Sequence, residues 1–136
     1  MKKLAILVSS GTHNNLVQVA TLIMAAVLSD IAVRVLFRDE SACSVTTQRI
    51  HSLPISEYFT NGDAYRKRLR EAKMDDVLTL LREAKEDGDV RLYACTSSMF
   101  LAEVSKEDLI PEIDEARGLV SFMIEEMETA DQILTF

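Results

Sequence analysis

The chain has 136 residues, 48% of them hydrophobic and 27% charged, with a formal net charge of −7. That length suits one domain over residues 1–136, large enough to bury a core without disulfides or metals. The acidic balance argues against nonspecific nucleic-acid binding, which needs clustered Lys and Arg, and two cysteines are too few for a secreted disulfide scaffold.

Met1-Lys2-Lys3 followed by Leu4-Ala5-Ile6-Leu7-Val8 imitates a signal peptide, but the apolar core is short. Ser9-Ser10-Gly11 then runs into polar Thr12-His13-Asn14-Asn15 without a cleavage site. A first strand over residues 4–8, buried on both faces, is the better reading. Turn chemistry follows, and Asn14 or Asn15 caps a helix over residues 16–28. That helix is apolar nearly all round, with Gln18 and Thr21 its main interruptions. It therefore calls for cover on more than one side, and in so small a domain for another subunit. Ser29-Asp30 and Arg34 break the apolar stretch, so no membrane span is expected and a cytoplasmic protein is.

Residues 31–37 read as a second strand. Residues 38–62 are less legible, with a short helix over 42–50 and loop signals at Ser52-Leu53-Pro54-Ile55 and Asn61-Gly62-Asp63. One long helix is predicted from about residue 63 to 87, with Met74, Val77, Leu78, Leu81 and Ala84 as its apolar stripe and Gly88 as its stop. Arg66-Lys67-Arg68 and Arg70 lie among Glu71, Asp75 and Asp76 and read as a solvated helix face. Residues 90–94 form a third strand, and a short helix reaches from Cys95 to about residue 104. Ser105-Lys106-Glu107-Asp108 has capping-box spacing. A last helix over residues 115–128 is expected to bury Leu119, Val120, Met123 and Met127, and residues 132–136 close the chain as a strand.

Strands alternating with helices imply an α/β domain: a parallel sheet, helices on both faces, and ligands beyond the carboxyl ends of the strands. Three loops leave those ends, at residues 9–13, 38–44 and 95–98. They gather both cysteines and one of the two histidines at one edge. Cys95 stands out, because a thiol between a strand's end and a helix's first turn meets unpaired N–H groups and the positive end of the helix dipole. That setting favours thiolate; the alternative is an inert packing cysteine. Ser97 and Ser98 supply donors. His13 is a candidate proton acceptor across the loops, or a solvated loop residue. Cys43 follows Asp39-Glu40 and is a packing residue or a resolving partner for Cys95.

No G-x-G-x-x-G or P-loop is present, and the histidines and cysteines lack zinc spacing. Ser9-Ser10-Gly11-Thr12 resembles a phosphate loop, with turn and cap chemistry as its ordinary explanation. No metal, nucleotide or organic cofactor is expected, and no nucleic-acid or membrane partner.

The order of Tyr93-Ala94-Cys95-Thr96-Ser97-Ser98-Met99, Ser105-Lys106-Glu107-Asp108-Leu109-Ile110, Ala116-Arg117-Gly118-Leu119 and Glu128-Thr129-Ala130-Asp131-Gln132-Ile133-Leu134 resembles the DsrE/DsrF-like family of small sulfur-relay proteins. The resemblance covers essentially the whole chain and is weakest over residues 38–70. It implies a flavodoxin-like three-layer α/β/α fold with a mainly parallel sheet of about five strands, assembled as homotrimers or hexamers. It also implies that Cys95 carries sulfane sulfur as a persulfide, supplied and taken up by donor and acceptor proteins or small persulfides. The other readings are a non-catalytic binding or assembly module, and an anion or nucleotide-phosphate binder using residues 9–12, with Ser10 and Gly11 at its centre.

Overall fold

In a computed structural model describing residues 1–136, five strands form one sheet: β1 (Lys3–Val8), β2 (Ala32–Phe37), β3 (Val90–Cys95), β4 (Glu115–Arg117) and β5 (Gln132–Thr135). Their order is β4-β3-β2-β1-β5 and every neighbouring pair is parallel. The helices are α1 (His13–Leu28), α2 (Asp39–Ser44), α3 (Gly62–Glu71), α4 (Val77–Asp87), α5 (Thr96–Leu101) and α6 (Leu119–Phe122), the last running into a π-type turn over Met123–Met127. This is the flavodoxin-like α/β/α architecture.

Winding direction sets the layers. From β1 to β4 each strand is added on the same side of the last, and only the step from β4 to β5 reverses, crossing to the far side of β1. Right-handed crossovers place connections of opposite direction on opposite faces. Strand alternation sorts the side chains accordingly. Leu4, Ile6, Val8, Val33, Val35, Phe37, Val90 and Leu92 face α1 and α4 in the main core. Ala5, Leu36, Tyr93 and Cys95 face the other way, under Phe122 of α6.

The all-apolar character of α1 is met largely within the chain. Leu16, Val19, Ala20 and Ile23 are buried, and α4 packs alongside, while Leu28 is exposed. The argument for a second subunit therefore cannot rest on this helix. Its cap is neither asparagine: Thr12 Oγ1 accepts from the Asn15 N–H, so the helix begins at His13.

Two long helices expected from the sequence are each broken. Between α3 and α4, Lys73 adopts φ 58, Met74 N–H bonds back to the Leu69 carbonyl and Lys73 N–H to that of Arg70. This is the left-handed Schellman ending, and Met74 and Leu69 both pack into the main core. Asp76 then caps α4 through the Leu78 N–H. The same ending closes α1 at Asp30 and α5 at Glu103, always on a residue other than glycine.

The segment over residues 115–128 is not one helix. Glu115, Ala116 and Arg117 pair with Tyr93, Ala94 and Cys95 as a short edge strand. Gly118 then caps α6, and the wide turn after it shifts the helical phase. Phe122 and Glu126 point inward, Leu119 and Met127 are half-buried, and Val120 and Met123 are exposed. The helix expected over residues 42–50 is instead α2, set earlier at Asp39–Ser44 and followed by turns.

Candidate functional site

Cys95 is the last residue of β3 and the N-cap of α5. Its side chain lies on the α6 face, beside Ala5, Leu36, Tyr93 and Phe122. The residue is only 1% exposed, so its sulfur is closed off from solvent. Burial pushes the thiol pKa up, but the side chains and backbone N–H groups of Ser97 and Ser98 hold the anion more strongly, and the net shift is downward. Ser97 Oγ lies 3.3 Å from the sulfur. Ser98 Oγ accepts the Asp39 N–H at 2.9 Å, which leaves its own proton free to point at sulfur. That bond also ties α2 to α5, and Asp39 holds it with φ at 49.

A second set of groups surrounds the same face, unnoticed in the sequence because residues 115–128 read as a plain amphipathic helix. Arg117 stands next to Cys95 in the sheet register. Its guanidinium lies 4.2 Å above the Tyr93 ring and pairs with Glu115 and Glu125, both at 2.9 Å. Tyr93 meets Phe122 edge-on, and its hydroxyl lies 3.5 Å from Glu126. Burial raises the Tyr93 pKa, with Glu126 adding to it. Glu126 is held by Arg34 Nε at 2.9 Å and Lys3 at 3.4 Å. The only sequence signal was Gly118, a break directly after Arg117.

The other predicted site residues lie elsewhere. Cys43, half-buried on α2, lines a cavity of about 570 Å³ together with Gly11, Thr12, Glu40 and Arg49. Gly11 is required there: a Cβ would lie 2.4 Å from Ser44 Oγ. The Ser10 carbonyl accepts from Asn15 Nδ2. His13 is 4% exposed at the start of α1, with Nε2 3.3 Å from the Met74 carbonyl. It belongs to the α1 layer, across the sheet from the Cys95 side chain, and is not the solvated loop residue the sequence allowed. Burial lowers its pKa, against the pull of the Met74 carbonyl. Ser97 and Ser98 thus join Cys95, whereas Gly11 and Cys43 share a separate cavity and His13 joins neither.

The loop over residues 9–12 is a poor anion cradle. The Gly11 N–H is given to the Glu40 carboxylate, the His13 N–H to the Pro54 carbonyl and the Asn15 N–H to Thr12. A carboxylate in the cavity wall repels phosphate. No group of three His, Cys, Asp or Glu side chains is arranged to hold a metal ion, and no helix is long and apolar enough to cross a membrane.

Comparison with known proteins gives two findings. The family model for DsrE/DsrF/DrsH-like proteins matches residues 29–134. Among solved structures, the chain is similar to a protein of unknown function, MTH1491 from Methanobacterium thermoautotrophicum. The TM-score is 0.61 with 11% identity, over 98% of this chain and 99% of that one. No curated protein matches the chain.

Proposed function

Because the chain belongs to the DsrE/DsrF/DrsH-like family, we propose that it is a sulfur carrier, holding sulfane sulfur as a persulfide on Cys95 and passing it to an acceptor thiol. One observation carries the reading: a strand-end thiol whose anion is held by the hydroxyls and N–H groups of Ser97 and Ser98. In the loading step the Cys95 thiolate attacks the outer sulfur of a donor persulfide, the donor's S–S bond breaks, and the donor leaves as thiolate. In the transfer step an acceptor thiolate attacks the outer sulfur on Cys95, and Cys95 returns as thiolate. Neither step changes the overall oxidation state or needs a cofactor. A modest fall in thiol pKa suits both, since a deep fall would weaken the nucleophile while improving the leaving group.

Entry to a thiol this buried is past Phe122 of α6, the side chain packed over it. That helix is four residues long, buries only Phe122 and leaves Val120 exposed. Displacing it uncovers sulfur without opening the main core. Copies of the chain assemble through the thinly covered face, where Val120, Met123 and Ile124 are exposed; native mass spectrometry showing a monomer would remove this part. Both thiols are free, which fits a reducing, cytoplasmic setting.

The test is mass spectrometry after incubation with a polysulfide donor. A one-sulfur adduct is expected on the wild type and none on Cys95→Ser. An adduct that persists on the serine variant removes Cys95 from the chemistry. The near-complete burial of Cys95 favours a second reading, an assembly module in which the thiol only packs. In that case Cys95 resists both alkylation and sulfur loading until the protein unfolds.

A further inference from the structure

The proposed sulfur chemistry leaves unused the cavity of about 570 Å³ beside α2. It opens beyond the carboxyl ends of β1 and β2, where parallel α/β sheets take their ligands. Gly11 and Thr12 of its wall follow the first strand, and Glu40, Cys43 and Ser44 follow the second. These last three stand at helical spacing on one face of α2. The rest of the wall is tied down. Ahead of Arg49, Thr46 bridges to Leu109 and the Val45 carbonyl accepts the Ile110 N–H, while Ile50 is buried just after it. The Pro54 carbonyl accepts the His13 N–H at 2.8 Å. Glu40 and Arg49 are the only charged residues lining the cavity. One Glu40 oxygen accepts the Gly11 N–H at 3.3 Å, which fixes the carboxylate at the wall. Neither Glu40 nor Arg49 belongs to an ion pair. Opposite charges that share one cavity and leave each other unpaired are complementary to a ligand carrying both signs.

We propose that this cavity binds a small zwitterion, an unblocked peptide of two or three residues. Glu40 takes the N-terminal ammonium, and Arg49 takes the C-terminal carboxylate through two parallel N–H donors. The carboxylate that turns phosphate away here suits an ammonium. The volume falls within the range of about 300–1,000 Å³ of sites for drug-sized molecules, more than a free amino acid fills. Gln48 and Ser52 in the same wall offer hydrogen bonds to the peptide groups between the two ends. Cys43 has no assigned chemistry in this site, but its half-buried thiol lies in the wall and reports occupancy, because a seated peptide shields it.

The rate of Cys43 alkylation by iodoacetamide, read by mass mapping of the full chain, tests this without any reference to sulfur loading. An equimolar library of unblocked tripeptides slows the reaction. The same library acetylated at the N-terminus, or amidated at the C-terminus, needs about tenfold more for equal protection, the size of one lost hydrogen bond between charged groups. Glu40→Gln keeps an acceptor for the Gly11 N–H but loses the charge, so it abolishes the preference for a free N-terminus and retains that for a free C-terminus. Arg49→Gln does the reverse, and Arg68→Gln on α3 changes neither. Calorimetric titration with the three libraries repeats the comparison independently of the thiol. Binding of none of them, or equal binding of blocked and unblocked peptides, overturns the proposal. A preference for only one free end also overturns the zwitterion, and assigns the cavity to the terminus of a longer chain.

Discussion

On the α1 side of the sheet, three strands contribute Leu4, Ile6, Val8, Val33, Val35, Phe37, Val90 and Leu92 to a core closed by two helices. On the α6 side, the same strands contribute Ala5, Leu36, Tyr93 and Cys95, under one short helix and one π-type turn. The first face is uniformly hydrocarbon. The second mixes a small apolar cluster with Lys3, Arg34 and Glu126, which hold one another, and with Arg117, which pairs with Glu115 and Glu125. Burying charge under thin cover stabilises little. The comparison teaches that stability and chemistry are divided between the two faces: one packs the fold, and the other keeps a thiol beside ionisable groups.

The largest expected effect falls on the packed face. Leu92→Ala, at a fully buried position, costs about 2–5 kcal/mol, read as a lower urea midpoint, and leaves the native Cys95 alkylation rate as it was. Phe122→Ala costs about 3 kcal/mol and, in contrast, accelerates Cys95 alkylation in the native state, because it removes the thiol's cover. Equal thiol reactivity in both variants would erase the division. Gly11→Ala forces Ser44 to move and costs about 1–3 kcal/mol, without altering sulfur loading of Cys95. Lys73→Gly works the other way. Relief of the left-handed backbone at the end of α3 raises stability by about 1 kcal/mol, again seen in the urea midpoint. The smallest effect is that of pH on His13. Its folded-state pKa is below the unfolded value of 6.5, so the unfolded chain takes up the proton first. Stability is full above that value and declines as pH falls through it, and His13→Gln flattens the decline.

Much of the architecture was legible, for reasons tied to particular residues. The apolar runs before Ser9 and before Cys95 could only be central strands, and Gly88 and Gly118 marked real breaks. Illegible were breaks made without glycine. Lys73 enters the left-handed region because Met74 and Leu69 both gain the core by it. The sequence there offered only the Asp76 cap as a sign. The stripe over residues 115–128 misled because a strand of three residues carries too little period-2 pattern to stand against it. For the site, the strand-to-helix position of Cys95 was readable, as were its serine donors. Its burial was not, since that depends on Phe122 arriving from the one reversed crossover. His13 misread for a related reason: histidine in a polar turn suggests solvent, but here α1 begins at that residue and draws it inward.

The single reversal in winding also fixes an order of events during synthesis. A ribosome delivers β1, β2, β3 and the helices between them before it reaches Phe122, and β5 must then travel back to pair with β1. Until that return, Cys95 exists beside an assembled α1-side core with nothing above it. The nascent protein passes through a stage in which its thiol is more open to oxidants and electrophiles than it will ever be again.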